Sequence, residues 1–232
     1  ALPIYNNENH GNITIASNIA GSFIGGVAGY AKGVADFDGG SDCVNHGKLT
    51  IKGNSYFGGR MYLGGVWGGP TDFTANRCHN YGAITFEEGE ILGNTLTVGG
   101  ICGKNTGGNT TTVNECTNNA PILIAASCAK DTAISFQIGS IAGYSQSALH
   151  NNINNKEGSI TVTGKFYTNG SRSTPASPKS GTHALGGICG YKTVATMNNN
   201  ENHADIIWSG DVVELGTGEP GQLRIGGYQG YG

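Results

Sequence analysis

The sequence predicts an all-β protein, a right-handed parallel β-helix (β-solenoid) of about six coils with loop insertions on one edge. Three observations predict this fold. Glycine supplies 41 residues and charged residues only 12% of the chain, a composition that favours turns over helices. Short apolar segments nevertheless recur at a regular phase along the whole chain. Inside these segments apolar and polar residues alternate, which indicates strands with one buried face.

Two motifs carry the repeat. The asparagine motif reads Asn-x-Gly-x-Ile-x-Ile or a near variant, and its copies are Asn9–Ile15, Asn45–Ile51, Asn80–Phe86, Asn118–Ile124, a drifted Lys156–Val162 and Asn202–Trp208. The glycine motif reads aliphatic-Gly-Gly-aliphatic-x-Gly, and its copies begin at Ile24, Leu63, Val98, Ile138, Leu185 and Ile225. A third, weaker apolar site lies seven residues before the glycine of the asparagine motif, as at Ile4, Val113 and Met197.

Three short strands in each repeat predict one triangular coil, and stacked coils share one core. We expect a single domain over residues 1–232, with repeats at approximately 1–40, 41–75, 76–113, 114–150, 151–197 and 198–232. Surplus residues fall mostly between the two motifs. The longest such stretch is 164–182, and within it the Ser/Pro-rich segment 171–180 is expected to be a loop. Insertions at one phase of a solenoid emerge along one edge, which is often the edge that binds.

These motifs resemble a known family. The copies Asn80–Ile84 and Gly99–Gly103 are similar to GLUG-motif repeats, which occur in Bacteroidota cell-surface proteins and in the stalk region of IgA-specific zinc metallopeptidases. The resemblance covers nearly the whole chain and implies an extracellular β-solenoid on a bacterial surface. The metallopeptidase motif His-Glu-x-x-His does not occur in the sequence, so the resemblance implies no peptidase activity.

Stacking places certain side chains in columns. The motif asparagines are expected to form a hydrogen-bonded ladder from coil to coil; they are Asn9, Asn45, Asn80, Asn118 and Asn202. Cys43, Cys78 and Cys116 share another phase in consecutive coils. Their expected spacing of about 4.8 Å would permit a disulfide, but parallel side chains rarely adopt the required torsion, which favours buried thiols.

A column of tyrosines is the candidate for ligand binding. Tyr144, Tyr191 and Tyr231 occupy one phase of the last three repeats. A stacked tyrosine strip could bind a sugar through ring faces and hydroxyls. The alternative is an aromatic ladder whose rings cover one another.

Candidate metal and modification sites lie in turns. Asp36, Asp38 and Asp42 alternate around glycines and could hold calcium, although no EF-hand loop is completed. His10, His46 and His203 share a phase beside the ladder and could ligate a metal, but Tyr81, Asn119 and Glu157 at the same phase indicate an exposed turn. Thr132, in Asp-Thr-Ala, matches the short O-glycosylation acceptor of Bacteroidota.

Composition and motifs also argue against several functions. The net charge of −3 and the lack of a Lys/Arg cluster argue against nucleic acid and anionic membranes as partners. No apolar run approaches the roughly 20 residues that cross a bilayer. No pair of carboxylates and no nucleophile motif indicates an enzyme, and the sequence implies no cofactor.

Neither end of the sequence contains an evident cap. The chain starts at the third-site phase and stops just after a glycine motif. This matched phase predicts either a piece of a longer solenoid or copies that stack head to tail into a fibre. We therefore expect an extracellular structural or adhesive element whose partners are itself or other surface proteins. The alternative is a carbohydrate-binding module that uses the loop edge or the tyrosine strip.

Overall fold

The fold is a parallel β-solenoid. The structure is a computed structural model and describes residues 4–16, 18–19, 21–33, 39–54, 59–92, 95–107, 111–129, 134–169, 183–193, 196–215 and 223–231. These residues form six rungs, where a rung is one turn of the solenoid. All strand pairs between rungs are parallel. The predicted fold class is therefore confirmed.

The first three rungs hold the strands β1 to β16. Rung one contains β1 (Ile4–Tyr5), β2 (Glu8–Asn9), β3 (Ile13–Ile15), β4 (Ser22–Gly25) and β5 (Ala28–Lys32). Rung two contains β6 (Gly40–Ser41), β7 (Val44–Asn45), β8 (Leu49–Ile51), β9 (Arg60–Gly64) and β10 (Trp67–Thr71). Rung three contains β11 (Ala75–Asn76), β12 (His79–Asn80), β13 (Ile84–Phe86), β14 (Glu90–Ile91), β15 (Thr95–Gly99) and β16 (Cys102–Asn105).

The last three rungs hold β17 to β34. Rung four contains β17 (Thr112–Asn114), β18 (Thr117–Asn118), β19 (Ile122–Ile124), β20 (Ser127–Cys128), β21 (Ser135–Gly139) and β22 (Ala142–Ser145). Rung five contains β23 (Ala148–His150), β24 (Ile153–Asn154), β25 (Ile160–Val162), β26 (Phe166–Asn169), β27 (His183–Gly186) and β28 (Cys189–Lys192). Rung six contains β29 (Met197–Asn198), β30 (Glu201–Asn202), β31 (Ile206–Trp208), β32 (Val212–Leu215), β33 (Leu223–Gly226) and β34 (Gln229–Tyr231).

Each rung contributes one strand to each of five six-stranded sheets, which begin with β1, β2, β3, β4 and β5. We refer to them as sheets 1 to 5. Two further sheets have two strands each, β14 with β20 and β26 with β32. The triangular coil of three strands was therefore wrong. The asparagine motif divides at its glycine between sheets 2 and 3, and the glycine motif divides at Gly-Gly between sheets 4 and 5.

Two apolar clusters fill the interior. One lies between sheets 3 and 4 and includes Leu49, Leu63, Ile84 and Val98, which are fully buried. The other lies between sheets 5 and 1 and includes the Trp67 side chain. The beginning of the longest surplus stretch is a strand, because β26 begins at Phe166 and this ring lies in the first cluster. Residues 170–182 lie outside the described part of the chain.

The corner between sheets 1 and 2 depends on a residue with left-handed backbone conformation. One residue in every rung has φ between 49° and 56° there; these are Asn6, Asp42, Arg77, Glu115, Asn151 and Asn199. Asparagine and aspartate tolerate this region better than other residues with a side chain. The left-handed position turns the chain by the same angle in each rung, so successive rungs superimpose.

Candidate functional site: a groove along the glycine motif

The tyrosine strip forms one column of sheet 5, as its phase predicts. Tyr144 pairs with Tyr191, and Tyr191 pairs with Tyr231. The Tyr144 and Tyr191 ring centroids lie 5.6 Å apart with 10° between the planes. The Tyr191 and Tyr231 centroids lie 4.8 Å apart with 25° between the planes. The rings therefore cover one another, and the strip presents ring edges and hydroxyls rather than open faces.

A groove of about 380 Å³ runs beside this strip across rungs two to five. Its walls are the outward side chains of sheets 4 and 5. The lining residues are Arg60, Tyr62, Thr95, Thr97, Lys104, Ser135, Gln137, Tyr144, Tyr191 and Thr193. Because the strands are parallel and in register, one groove extends along the solenoid axis from four short segments of chain.

The glycine motif explains why this surface is concave. Its second glycine lies against a ladder asparagine, and a Cβ at Gly65 would overlap the Asn80 side chain and the Gly100 carbonyl. Its third glycine lies against the strand of the previous rung, where a Cβ at Gly103 would come within 2.6 Å of the Leu63 nitrogen. Sheets 4 and 5 thus meet backbone to backbone at the base of the groove, and side chains line only its walls.

The asparagine ladder is present and is longer than predicted. Each side-chain nitrogen donates to the next side-chain oxygen at 2.8 to 3.2 Å; the column is Asn9, Asn45, Asn80, Asn118, Asn154 and Asn202. The assignment of Lys156 to this phase was wrong, because two extra residues separate Asn154 from the motif glycine. The Asn154 amide consequently reaches the carbonyl of Gly158, four residues on, at 3.0 Å.

The three predicted cysteines form a buried column of free thiols. The Cys78 thiol donates to the Asn76 carbonyl at 3.4 Å. A hydrogen bond with Cys116, together with burial, raises the pKa of Cys78 to about 12. A hydrogen bond with Cys78 and burial also raise the pKa of Cys43. The Cys43 and Cys78 thiols therefore stay protonated at neutral pH, which suits small packing residues better than reactive ones.

Asp42 occupies a different environment from the one that calcium binding requires. Its two carboxylate oxygens accept from Arg77, at 2.7 Å from Nε and 2.8 Å from Nη2. The hydrogen bond from Arg77 also lowers the pKa of Asp42. A calcium ion would have to displace this guanidinium. Asp36 and Asp38, the other two predicted ligands, lie outside the described residues, and so does the predicted glycosylation site Thr132.

The histidine phase brings His10 and His46 together but not His203. The His10 and His46 rings stack with centroids 4.6 Å apart, and Tyr81 stacks on His46 at 5.2 Å. Glu8, which sequence reasoning did not include, completes a group with one potential ligand atom per residue, all within 4.8 Å of one another. His203 pairs with Glu201 at 2.8 Å.

The prediction that Glu157 shares the histidine phase was wrong. Asn155, not Glu157, follows Asn119 in that column, and the two amides bond at 2.5 Å. The two extra residues after Asn154 displace Glu157 from the column.

Comparisons with known proteins do not assign this chain to a family. No family model, no curated protein and no solved structure matches this chain. The resemblance to GLUG repeats therefore remains a prediction based on the two motifs. The described residues also contain no helix of the length and apolarity that crossing a membrane requires.

Sequence reasoning missed the opposite wall of the groove. Tyr62, Thr97 and Gln137 form one outward column of sheet 4. Each lies seven residues before the outward position of sheet 5 in its own rung, so Thr97 faces Lys104 and Gln137 faces Tyr144. That spacing was a usable signal, because Gly-Gly in the middle of it folds the two strands together.

Proposed function

We propose that this chain is a structural or adhesive β-solenoid of the extracellular bacterial surface, either as part of a longer stalk or as a unit that assembles end to end into a fibre. The observation that carries the proposal is the regular stack of six rungs, a repeat that can be continued in register. Each central sheet continues in register through six strands, and among the described residues its outermost strands have one partner each. An unpaired strand edge is a template for pairing with another chain.

The apolar columns support the same role. Leu49, Ile84, Ile122 and Ile160 are fully buried in the middle rungs. The end members of the same column, Ile13 and Ile206, are only half-buried. Both end faces thus offer apolar surface in the geometry of one more rung. That rung can be a continuation of a longer stalk or the first rung of another copy, and the second option predicts fibres.

Electron microscopy and sedimentation of the isolated protein test the fibre. We expect assemblies that grow with protein concentration and show a single width. Ile13→Lys places a charge on the end face and is expected to abolish assembly. Thr14→Lys is the control, because Thr14 points outward on the same strand and its change should leave assembly intact. A protein that stays monomeric at millimolar concentration contradicts self-assembly.

A second candidate function is carbohydrate binding, and the groove favours it. The walls combine tyrosine edges with hydroxyl, amide and cationic groups, which suit the many hydroxyls of a saccharide. The concave shape and the position on the side of the solenoid leave both ends free for stacking. The two functions are therefore compatible in one molecule, and binding is tested by the experiment given below.

A further inference from the structure

The groove contains positive charge without negative charge. Arg60 and Lys104 line it, and no described aspartate or glutamate does. The whole chain has a formal charge of −3, so the sign of the groove is opposite to that of the molecule. A water-filled cleft with one sign of charge concentrates ligands of the other sign.

These two cations also lack anionic partners within the described structure. Lys104 Nζ lies 4.8 Å from the Tyr62 ring centroid and 5.7 Å from that of Tyr144. Its hydrogen bond to the Tyr62 hydroxyl is long at 3.5 Å. By contrast, Arg77 outside the groove pairs with Asp42 at 2.7 Å. Arg60 and Lys104 can therefore pair with an anionic ligand without breaking an ion pair within the described structure.

The stacking of the tyrosine strip selects among ligands. Tyr144 and Tyr191 cover each other, and Lys104 lies over another part of the Tyr144 ring. Burial is the main cause that raises the pKa of Tyr191, and the neighbouring Tyr231 and Tyr144 add to it. The Tyr191 hydroxyl therefore stays protonated and can donate a hydrogen bond. A neutral sugar that stacks on an aromatic face finds no open face here. A ligand rich in acceptors finds donors.

We propose that the groove binds an acidic saccharide whose carboxylate or sulfate groups pair with Lys104 and Arg60. This inference rests on the carbohydrate-binding function. Thr97 and Gln137, whose side chains bond each other at 3.3 Å, line the wall opposite Lys104 and Tyr144. The Thr97 side chain is buried, and the partly exposed Gln137 amide can bond sugar hydroxyls. The groove crosses four rungs, about 14 Å at roughly 4.8 Å per step, so it fits an oligosaccharide lying along the axis.

Calorimetric titration with matched ligands tests the proposal. The probes are an oligogalacturonide and its methyl ester, which keeps the sugar and removes the charge, and a sulfated oligosaccharide with its desulfated form. We expect an acidic member of at least one pair to bind and its neutral counterpart to bind about tenfold more weakly or not at all, as for a lost charge-assisted hydrogen bond.

Variants locate the site. Lys104→Gln and Arg60→Gln should each weaken binding of the acidic ligand about tenfold. Lys48→Gln, an exposed lysine outside the groove, should not, and circular dichroism checks that every variant keeps the fold. Equal binding of acidic and neutral forms, or unchanged binding in both groove variants, overturns this inference while carbohydrate binding stands. No binding of any of the four saccharides overturns carbohydrate binding as well.

Discussion

Asn80 makes its hydrogen bonds where water cannot replace them. Its side chain is fully buried, donates to Asn118 at 2.9 Å and to the Gly82 carbonyl at 3.0 Å, and accepts from Asn45 at 2.9 Å. Removing such a residue leaves buried donors and acceptors unsatisfied at about 1–3 kcal/mol each. The ladder therefore specifies register, since a slip of one residue would leave the whole column without partners.

His183 is buried among aromatic rings and has an unusual titration. The Phe136, Phe166 and Trp208 centroids lie 5.9 to 6.3 Å from its ring. Neither ring nitrogen has a well-formed hydrogen bond to a described residue. Burial lowers its pKa to about 4 from the usual 6.5, and the Tyr167 backbone offsets this only partly. Between these two pH values the unfolded chain binds a proton that the folded chain does not, so stability falls as the pH falls.

His183→Phe should therefore reduce the acid sensitivity of the fold. Lowering the pKa of His183 from 6.5 to about 4 corresponds to roughly 3 kcal/mol of stability lost between pH 6.5 and pH 4. Phenylalanine suits the site because the stacked neighbours are Phe136 and Leu223. Urea unfolding at several pH values measures the effect, with the exposed His203→Gln as control. If wild type and His183→Phe lose the same stability on acidification, His183 is not the group responsible.

The residue columns were largely predictable because stacked positions share a phase. Tyr144, Tyr191 and Tyr231 follow from counting along the repeats. Asn154 was not found, because counting fails where two residues are inserted inside a motif. The left-handed position also escaped notice, since Arg77 and Glu115 are not residues that usually mark a positive φ.

Among the structural elements, the glycine motif has the most specific packing. Its first glycine allows the corner itself, its second lies on the ladder and its third lies on the neighbouring strand. The asparagine motif and the glycine motif recur together because the second glycine of one lies directly against the ladder asparagine of the other. This contact also separates the two apolar clusters, so a rung has two small cores rather than one.

Gly65→Ala tests this contact. The added methyl group would overlap the Gly100 carbonyl and the Asn80 side chain, neither of which can move without breaking the ladder. We expect a loss of several kcal/mol in unfolding free energy, as for other overpacked interior sites. Gly227→Ala is the matched control, since Gly227 occupies the same motif position and no atom lies within 4 Å of its added Cβ. Equal losses in thermal or urea unfolding would contradict the contact.

Strands between the motifs were harder to predict than the motifs. Phe166 lies at the start of a surplus stretch that runs into the Ser/Pro-rich segment 171–180, yet β26 pairs with β32 in the next rung. The partner strand, Val212–Leu215, begins with two valines, and its paired residue Val212 lies 46 residues after Phe166. Pairing between rungs, not local composition, forms this element.

For the whole molecule, the repeat predicts both the axis and the surface. A rung advances by 35 to 48 residues along the ladder, yet every rung adds one strand to each central sheet. Because the rungs stack at a regular spacing, single outward residues align into the walls of the groove. The end strands carry the half-buried apolar residues from which we propose assembly. The seven-residue spacing across Gly-Gly indicates which residues of the two sheets face each other, but it does not give the angle between the sheets, so the width of the groove could not be predicted.

One distance tests the stack of rungs most directly. Thr14 and Ile207 are outward positions of β3 and β31, the first and last strands of sheet 3, and are both exposed. Spin labels there, attached through an unnatural amino acid so that the buried thiols are untouched, should be separated by five steps of about 4.8 Å, or about 24 Å plus the label linkers. A single narrow distribution near that value is the predicted result. A broad distribution, or a mean beyond about twice that distance, would contradict the solenoid.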